Sequence, residues 1–182
     1  YFGHQMELGD FSTSYIPTSG SVKTRIADAC SNGANEQVIN STEGVLYFEG
    51  SALYDDGTNR YISIDDGTAN NYIYFRYVST SNKVLMRTRV GGATINTIEV
   101  AVADTTENHK FAFKFKSGDF AFWINGVEVG TDTSATIFSA NTLNNIGMNF
   151  PTTIGGFYAN TKDLRIYNTA LTDAELQALT TI

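Results

Sequence analysis

The segment over residues 110–125 constrains the fold of this chain more than any other. Phe111, Phe113 and Phe115 alternate with Ala112, Lys114 and Lys116, and after Ser117-Gly118 the residues Phe120, Phe122 and Ile124 alternate with Ala121, Trp123 and Asn125. Successive side chains of a strand point to opposite faces, so one apolar face at a period of two marks a half-buried strand. The Ser-Gly interruption joins two such strands as a hairpin. The six apolar side chains are expected to fill the space between two sheets.

The same grammar runs through residues 38–102. Residues 45–50 read as a strand, and residues 61–64 follow a turn at Asp55-Asp56-Gly57-Thr58. A second turn at Asp65-Asp66-Gly67-Thr68 leads to further strands over residues 71–78, 83–90 and 94–102. Each Asp-Gly is a hairpin signal, because both positions tolerate positive φ. Residues 130–150 are rich in Thr, Ser and Asn and weakly periodic, so loops with one or two short strands are expected there. With 16 glycines, two prolines and 42% hydrophobic residues in 182, the chain suits one all-β domain with a full core.

Charge and cysteine content exclude several classes of partner. A net charge of -7 disfavours nucleic acid and anionic membranes, and no apolar run is long enough to insert in a bilayer. Cys30 is the only cysteine, so an internal disulfide and a cysteine-based zinc cluster are both excluded.

The chain's last segment adds a closing strand, Lys162-Asp163-Leu164-Arg165-Ile166-Tyr167, and a short helix. Thr172 and Glu175 have the spacing of a capping box, and Leu176 and Leu179 fall on one helical face able to cover a sheet edge or opening. Together with Trp123-Ile124-Asn125-Gly126-Val127, this order resembles the concanavalin A-like, laminin-G-like jelly roll over roughly residues 25–180. The resemblance implies an all-β, two-sheet antiparallel jelly-roll sandwich with a short C-terminal helix, in a superfamily that usually binds and catalyses only in some branches. Residues 1–20 alternate poorly and contain Pro17, so residues 1–24 read as an arm or linker from a preceding module, with the domain over 25–182. Gln5-Met6-Glu7-Leu8-Gly9, then Thr13-Ser14-Tyr15-Ile16-Pro17-Thr18 and Thr24-Arg25, resembles a junction between modules in bacteriophage virion proteins. That implies a tail fibre or similar appendage, located on a virion or outside cells, with other virion subunits or further copies of itself as partners.

The catalytic branches of the superfamily would carry Glu-x-Asp-x-x-Glu, or Arg-x-Glu-x-Arg with Gln-x-His, and none of these occurs. His4 and His109 are the only histidines, so the reading is of a protein that is not an enzyme and needs no cofactor. Calcium is the exception the resemblance keeps open, with Asp55, Asp56, Asp65 and Asp66 as candidate ligands, although each Asp-Gly pair also has a sufficient role as a turn.

The strand faces opposite the core carry the candidate binding residues: Trp123, Lys114 and Asn125 in the hairpin, Tyr72, Tyr74 and Arg76 in one neighbouring strand, and Arg87 and Arg89 in another. If these faces share a sheet, an acidic protein displays an aromatic and basic surface. Aromatic rings stack on the C–H face of a pyranose, while arginine forks and amides bind hydroxyls or carboxylates. The expected ligand is a cell-surface glycan or polysaccharide, acidic at least in part. Trp123 packed against the C-terminal helix, and basic residues serving only to solvate a face, are the competing expectations. They accompany a structural or decoration domain that binds no sugar, and a polysaccharide-degrading enzyme is the third and least favoured reading.

Overall fold

The computed structural model describes residue 20, residues 33–152 and residues 157–182. His4, Cys30, Gly155, Gly156 and the arm expected over residues 1–24, Gly20 apart, lie outside the described residues. In chain order the strands are β1 (Glu43–Ala52), β2 (Arg60–Asp65), β3 (Tyr72–Tyr77), β4 (Lys83–Val90), β5 (Ala93–Ala101), β6 (His109–Lys116), β7 (Phe120–Ile124), β8 (Val127–Asp132), β9 (Asn145–Gly147) and β10 (Ala159–Tyr167). Helix α1 (Asp173–Thr180) follows. The strands form two five-stranded antiparallel sheets, a first of order β10-β1-β6-β7-β8 and a second of order β5-β4-β3-β2-β9. This is the jelly-roll sandwich the sequence implied.

The alternating hairpin is β6–β7, with Phe113 opposite Phe122 and Phe111 opposite Ile124. Its six apolar side chains all lie in the layer between the sheets. They meet Phe48 of the same sheet and Phe75 of the other, with ring centroids 5.8 Å apart for Phe48–Phe111, 5.4 Å for Phe48–Phe75 and 4.8 Å for Phe75–Phe111. Burying each such ring stabilises the fold by about 1.5–3 kcal/mol, so this aromatic layer is the main force holding the sheets face to face.

Two turns depart from expectation. Asp56-Gly57 does not close a hairpin, because β1 belongs to the first sheet and β2 to the second, so the loop crosses between layers. Its local chemistry still matches the second copy: Asp56 Oδ1 accepts from the N–H of Thr58 and Asp66 Oδ1 from that of Thr68. Side-chain capping of a turn is a local property, whereas hairpin closure depends on which strand follows. The second departure is Asn125-Gly126, whose φ values of +50° and +81° make the two-residue turn joining β7 to β8. The region expected to be mostly loop therefore begins with the end of strand β8, and β9 is its one further strand among the described residues.

Helix α1 carries the expected cap. Thr172 accepts from the Glu175 N–H, and Glu175 Oε2 accepts from the Thr172 N–H at 2.8 Å. Leu176, fully buried, and the partly buried Leu179 pack on the outer face of the first sheet against Val45, Tyr47, Ala112, Ala121 and Trp123. The helix thus covers a sheet face.

Candidate functional site

Directly opposite residues share a sheet face, so the register across the second sheet defines what its outer surface carries. One row runs Ser63, Tyr74, Arg87, Thr97; a second runs Asp65, Tyr72, Arg89, Thr94; a third runs Tyr61, Arg76, Leu85, Glu99. Tyr72, Tyr74, Arg76, Arg87 and Arg89 therefore come together on one face.

The tyrosines form its floor. Tyr72 and Tyr74 are only 3% and 2% exposed, with stacked rings 5.0 Å apart. Tyr61 meets Tyr74 edge-on at 5.2 Å, and Phe150 from the loop after β9 packs on Tyr61, Tyr72 and Tyr74 at 5.5, 5.6 and 6.1 Å. Burial pushes the Tyr74 phenol above its usual value, against the pull of Arg76 and Arg87, so it stays protonated at neutral pH. Tyr61 was legible from the alternation of β2, but Phe150 sits in a loop without a pattern to reveal it.

The half-buried arginines lie against this floor. The Arg76 guanidinium carbon is 5.8 Å from the Tyr61 ring centroid and 5.9 Å from that of Tyr74, and the Arg87 carbon is 5.9 Å from Tyr74. These are cation–π distances. Arg87 Nε donates to Thr97 Oγ1 at 3.1 Å, Arg89 Nε to the Gly92 carbonyl at 2.7 Å, and Arg76 Nη1 has only a long 3.5 Å contact to the Tyr61 hydroxyl. Among the described residues none of the three has a carboxylate at ion-pairing distance. The acids of the same face are engaged elsewhere: Glu99 with Lys83 at 2.8 Å, and Asp65 with the Ser63 hydroxyl, the Gly67 N–H and the Asn145 amide.

Trp123, Lys114 and Asn125 do not join this group, because β6 and β7 pair into the first sheet while β3 and β4 pair into the second. The condition that all these faces share one sheet is not met. Trp123 is 7% exposed beneath α1. Lys114 is held by Asp119 at 2.7 Å and Asp173 at 3.1 Å; burial alone would lower its ammonium pKa, but the two aspartates outweigh burial and raise it. Asn125 serves its turn, with Oδ1 accepting from the Lys110 N–H and Nδ2 facing His109 Nδ1.

The four candidate calcium ligands also separate, with Asp55 and Asp56 before β2 and Asp66 just after it, beside Asp65 at its end. Asp55 accepts from the Ser81 hydroxyl and the Asn82 N–H. Both Asp56 carboxylate oxygens accept from one nitrogen, Arg60 Nη2, at 2.9 and 3.0 Å. Asp66 accepts from Thr68 and the Asn71 amide, contacts that outweigh its burial and hold it below the usual carboxylate range. Among the described residues no three His, Cys, Asp or Glu side chains gather in a group that could hold a metal ion.

One acidic pair does face outward: Glu49 of β1 stands opposite Asp163 of β10. Glu49 accepts from Lys162 Nζ at 2.6 Å, from Asn108 and from the Tyr47 hydroxyl, and the Lys162 hydrogen bond foremost holds its carboxyl below the usual value. A glycosidase general acid needs the opposite shift. Asp163 is paired with Arg165 at 2.5 Å. Elsewhere an open depression of about 330 Å³ lies between residues 36–41 and Ala140, Asn141, Asn168 and Thr169.

Several solved structures share this architecture. The carbohydrate-binding module CBM40 of a Ruminococcus gnavus IT-sialidase, bound to α2,3-sialyllactose, superposes with a TM-score of 0.62 at 19% identity, covering 76% of this chain and 83% of that one. Domain 4 of a GH43 extracellular arabinanase from Geobacillus stearothermophilus, in complex with arabinotriose, gives 0.62 at 15% identity, covering 81% and 70%. A heptameric SAP-like pentraxin from Limulus polyphemus gives 0.61 at 11% identity, covering 82% and 73%. At these identities the likeness is one of fold, and the chain matches no curated protein. Residues 31–177 match the laminin-G type family described as the concanavalin A-like lectin/glucanases superfamily, and with that match over most of its length the chain belongs to this superfamily.

Proposed function

We propose that this chain is a noncatalytic carbohydrate-binding domain, and that it serves as the receptor-binding part of a phage tail fibre or similar virion appendage. The observation that carries the binding role is the outer face of the second sheet, where Arg76, Arg87 and Arg89 lie on or beside a tyrosine floor with no carboxylate partner among the described residues. The first sheet's outer face is instead occupied by α1 and by ion pairs at Lys114, Glu49 and Arg165. Sialyllactose and arabinotriose bound to structurally similar modules support a sugar as the ligand. The resemblance of residues 5–25 to a phage virion junction supports the setting.

A glycan array spanning neutral, sialylated, uronate-containing and sulfated structures tests the binding role. Captured glycans that Arg87→Ala no longer holds are the expected result, and an array without hits rejects it. The covered state of Tyr72 and Tyr74 favours a second reading, a decoration domain whose arginine face docks another virion subunit. On that reading the array is empty and Arg87→Ala blocks assembly of the particle.

A further inference from the structure

We infer that the ligand of the second-sheet face is an acidic glycan whose sugar carboxylate docks on the Arg76–Arg87 pair, an inference that rests on the carbohydrate-binding reading above. Both guanidinium carbons lie 5.9 Å from the ring centroid of the same residue, Tyr74, from neighbouring strands. A guanidinium carries five N–H donors and no acceptor. Arg87 uses only Nε, toward Thr97, and Arg76 makes one weak contact with the Tyr61 hydroxyl while its Nε is buried without a partner. Beyond these contacts, Arg87 Nη1 and Nη2 and Arg76 Nη2 have no hydrogen-bond partner among the described residues.

Arrangement and charge then select the ligand. Contact with the Tyr74 ring restricts both guanidinium groups and so reduces the conformational freedom lost when they engage a planar anion. Two cations near one ring, with Arg89 in the next row and Glu99 already bound to Lys83, repel one another until an anion arrives. A hydroxyl-only sugar leaves that repulsion in place, whereas a carboxylate relieves it and accepts two parallel N–H bonds from each fork. The tyrosines, being covered, act as the support for the arginines.

The test is calorimetric titration of the intact protein with trigalacturonate and 3′-sialyllactose, with their methyl esters and with sulfated dextran oligomers, beside the array above. At least one free acid is expected to bind, with esterification weakening it tenfold or more. Arg76→Gln and Arg87→Gln should each cause a similar loss while the thermal midpoint stays within a few degrees of the parent, and Arg87→Lys should restore only part of the affinity. Equal binding of acid and ester, indifferent to Arg87→Gln, overturns the inference and leaves the carbohydrate reading standing. Preference for the sulfated oligomers over both free acids also overturns it alone. Binding to none of these probes and to nothing on the array overturns both.

Discussion

Arg87 and Trp123 look alike in sequence, each being a large side chain on the polar side of an alternating strand. Their surroundings differ by what lies above them. Arg87 has Tyr74 beside it and no carboxylate partner among the described residues, so Arg87→Ala should remove binding and change stability by no more than about 0.5 kcal/mol in urea denaturation. Trp123 has Leu176 and Leu179 nearby, so Trp123→Ala should cost about 3–5 kcal/mol and leave binding per folded molecule unchanged. A binding loss from Trp123→Ala at full stability would reverse these assignments. Alternation tells which side of a strand a residue occupies, and it assigns Arg87 and Trp123 to the outward sides of their strands. Whether a polar side is open or covered depends on a helix more than forty residues away, so period-two patterning has no access to it.

At the scale of elements, α1 is the part most fully legible, because a capping box and two leucines three apart are local signals. Thr172→Ala should cost about 1 kcal/mol by removing the cap. Leu176→Ala should cost about 2–5 kcal/mol, and since Trp123 is the only tryptophan, its emission should shift to the red as the helix loosens. The pairing of β1 with β10 carries a pH signature through Glu49 and Lys162. The folded Glu49 carboxyl titrates below its ordinary 4.5, so the unfolded chain binds that proton first. Its contribution to stability is therefore present above about pH 4.5 and is lost as pH falls through the folded value. Comparing urea midpoints of the parent and Glu49→Gln at pH 7 and pH 3.5 checks this. The gap should narrow in acid, and a constant gap would contradict the role given to Lys162. The first Asp-Gly joins two sheets, and Asn125 turns the chain where alternation predicts a strand face, for one reason. Turn chemistry is written in three or four residues, but whether two strands stay in one sheet is decided by partners far away in sequence.

For the whole molecule, the governing fact is the division of strands between two sheets. Residues 72–77, 83–90, 93–101 and 109–124 follow one another in the chain and look like one continuous meander. The chain nevertheless changes layers between β5 and β6, because β6 pairs with β1 and carries β7 and β8 with it. That single crossing sends Arg76, Arg87 and Arg89 to one exterior and Trp123, Lys114 and Asn125 to the other. In a chain of net charge -7 it also leaves one exterior with three arginines lacking acidic partners among the described residues. The proposed glycan binding therefore belongs to this exterior alone. The direct test is the affinity of a glycan captured on the array for the parent, for Arg76→Ala and Arg87→Ala, and for Lys116→Ala and Lys162→Ala, which remove equal charge from the other sheet. A loss of tenfold or more confined to the two arginine variants is the predicted result. Equal losses from both sheets, or a loss confined to the lysine variants, would contradict it.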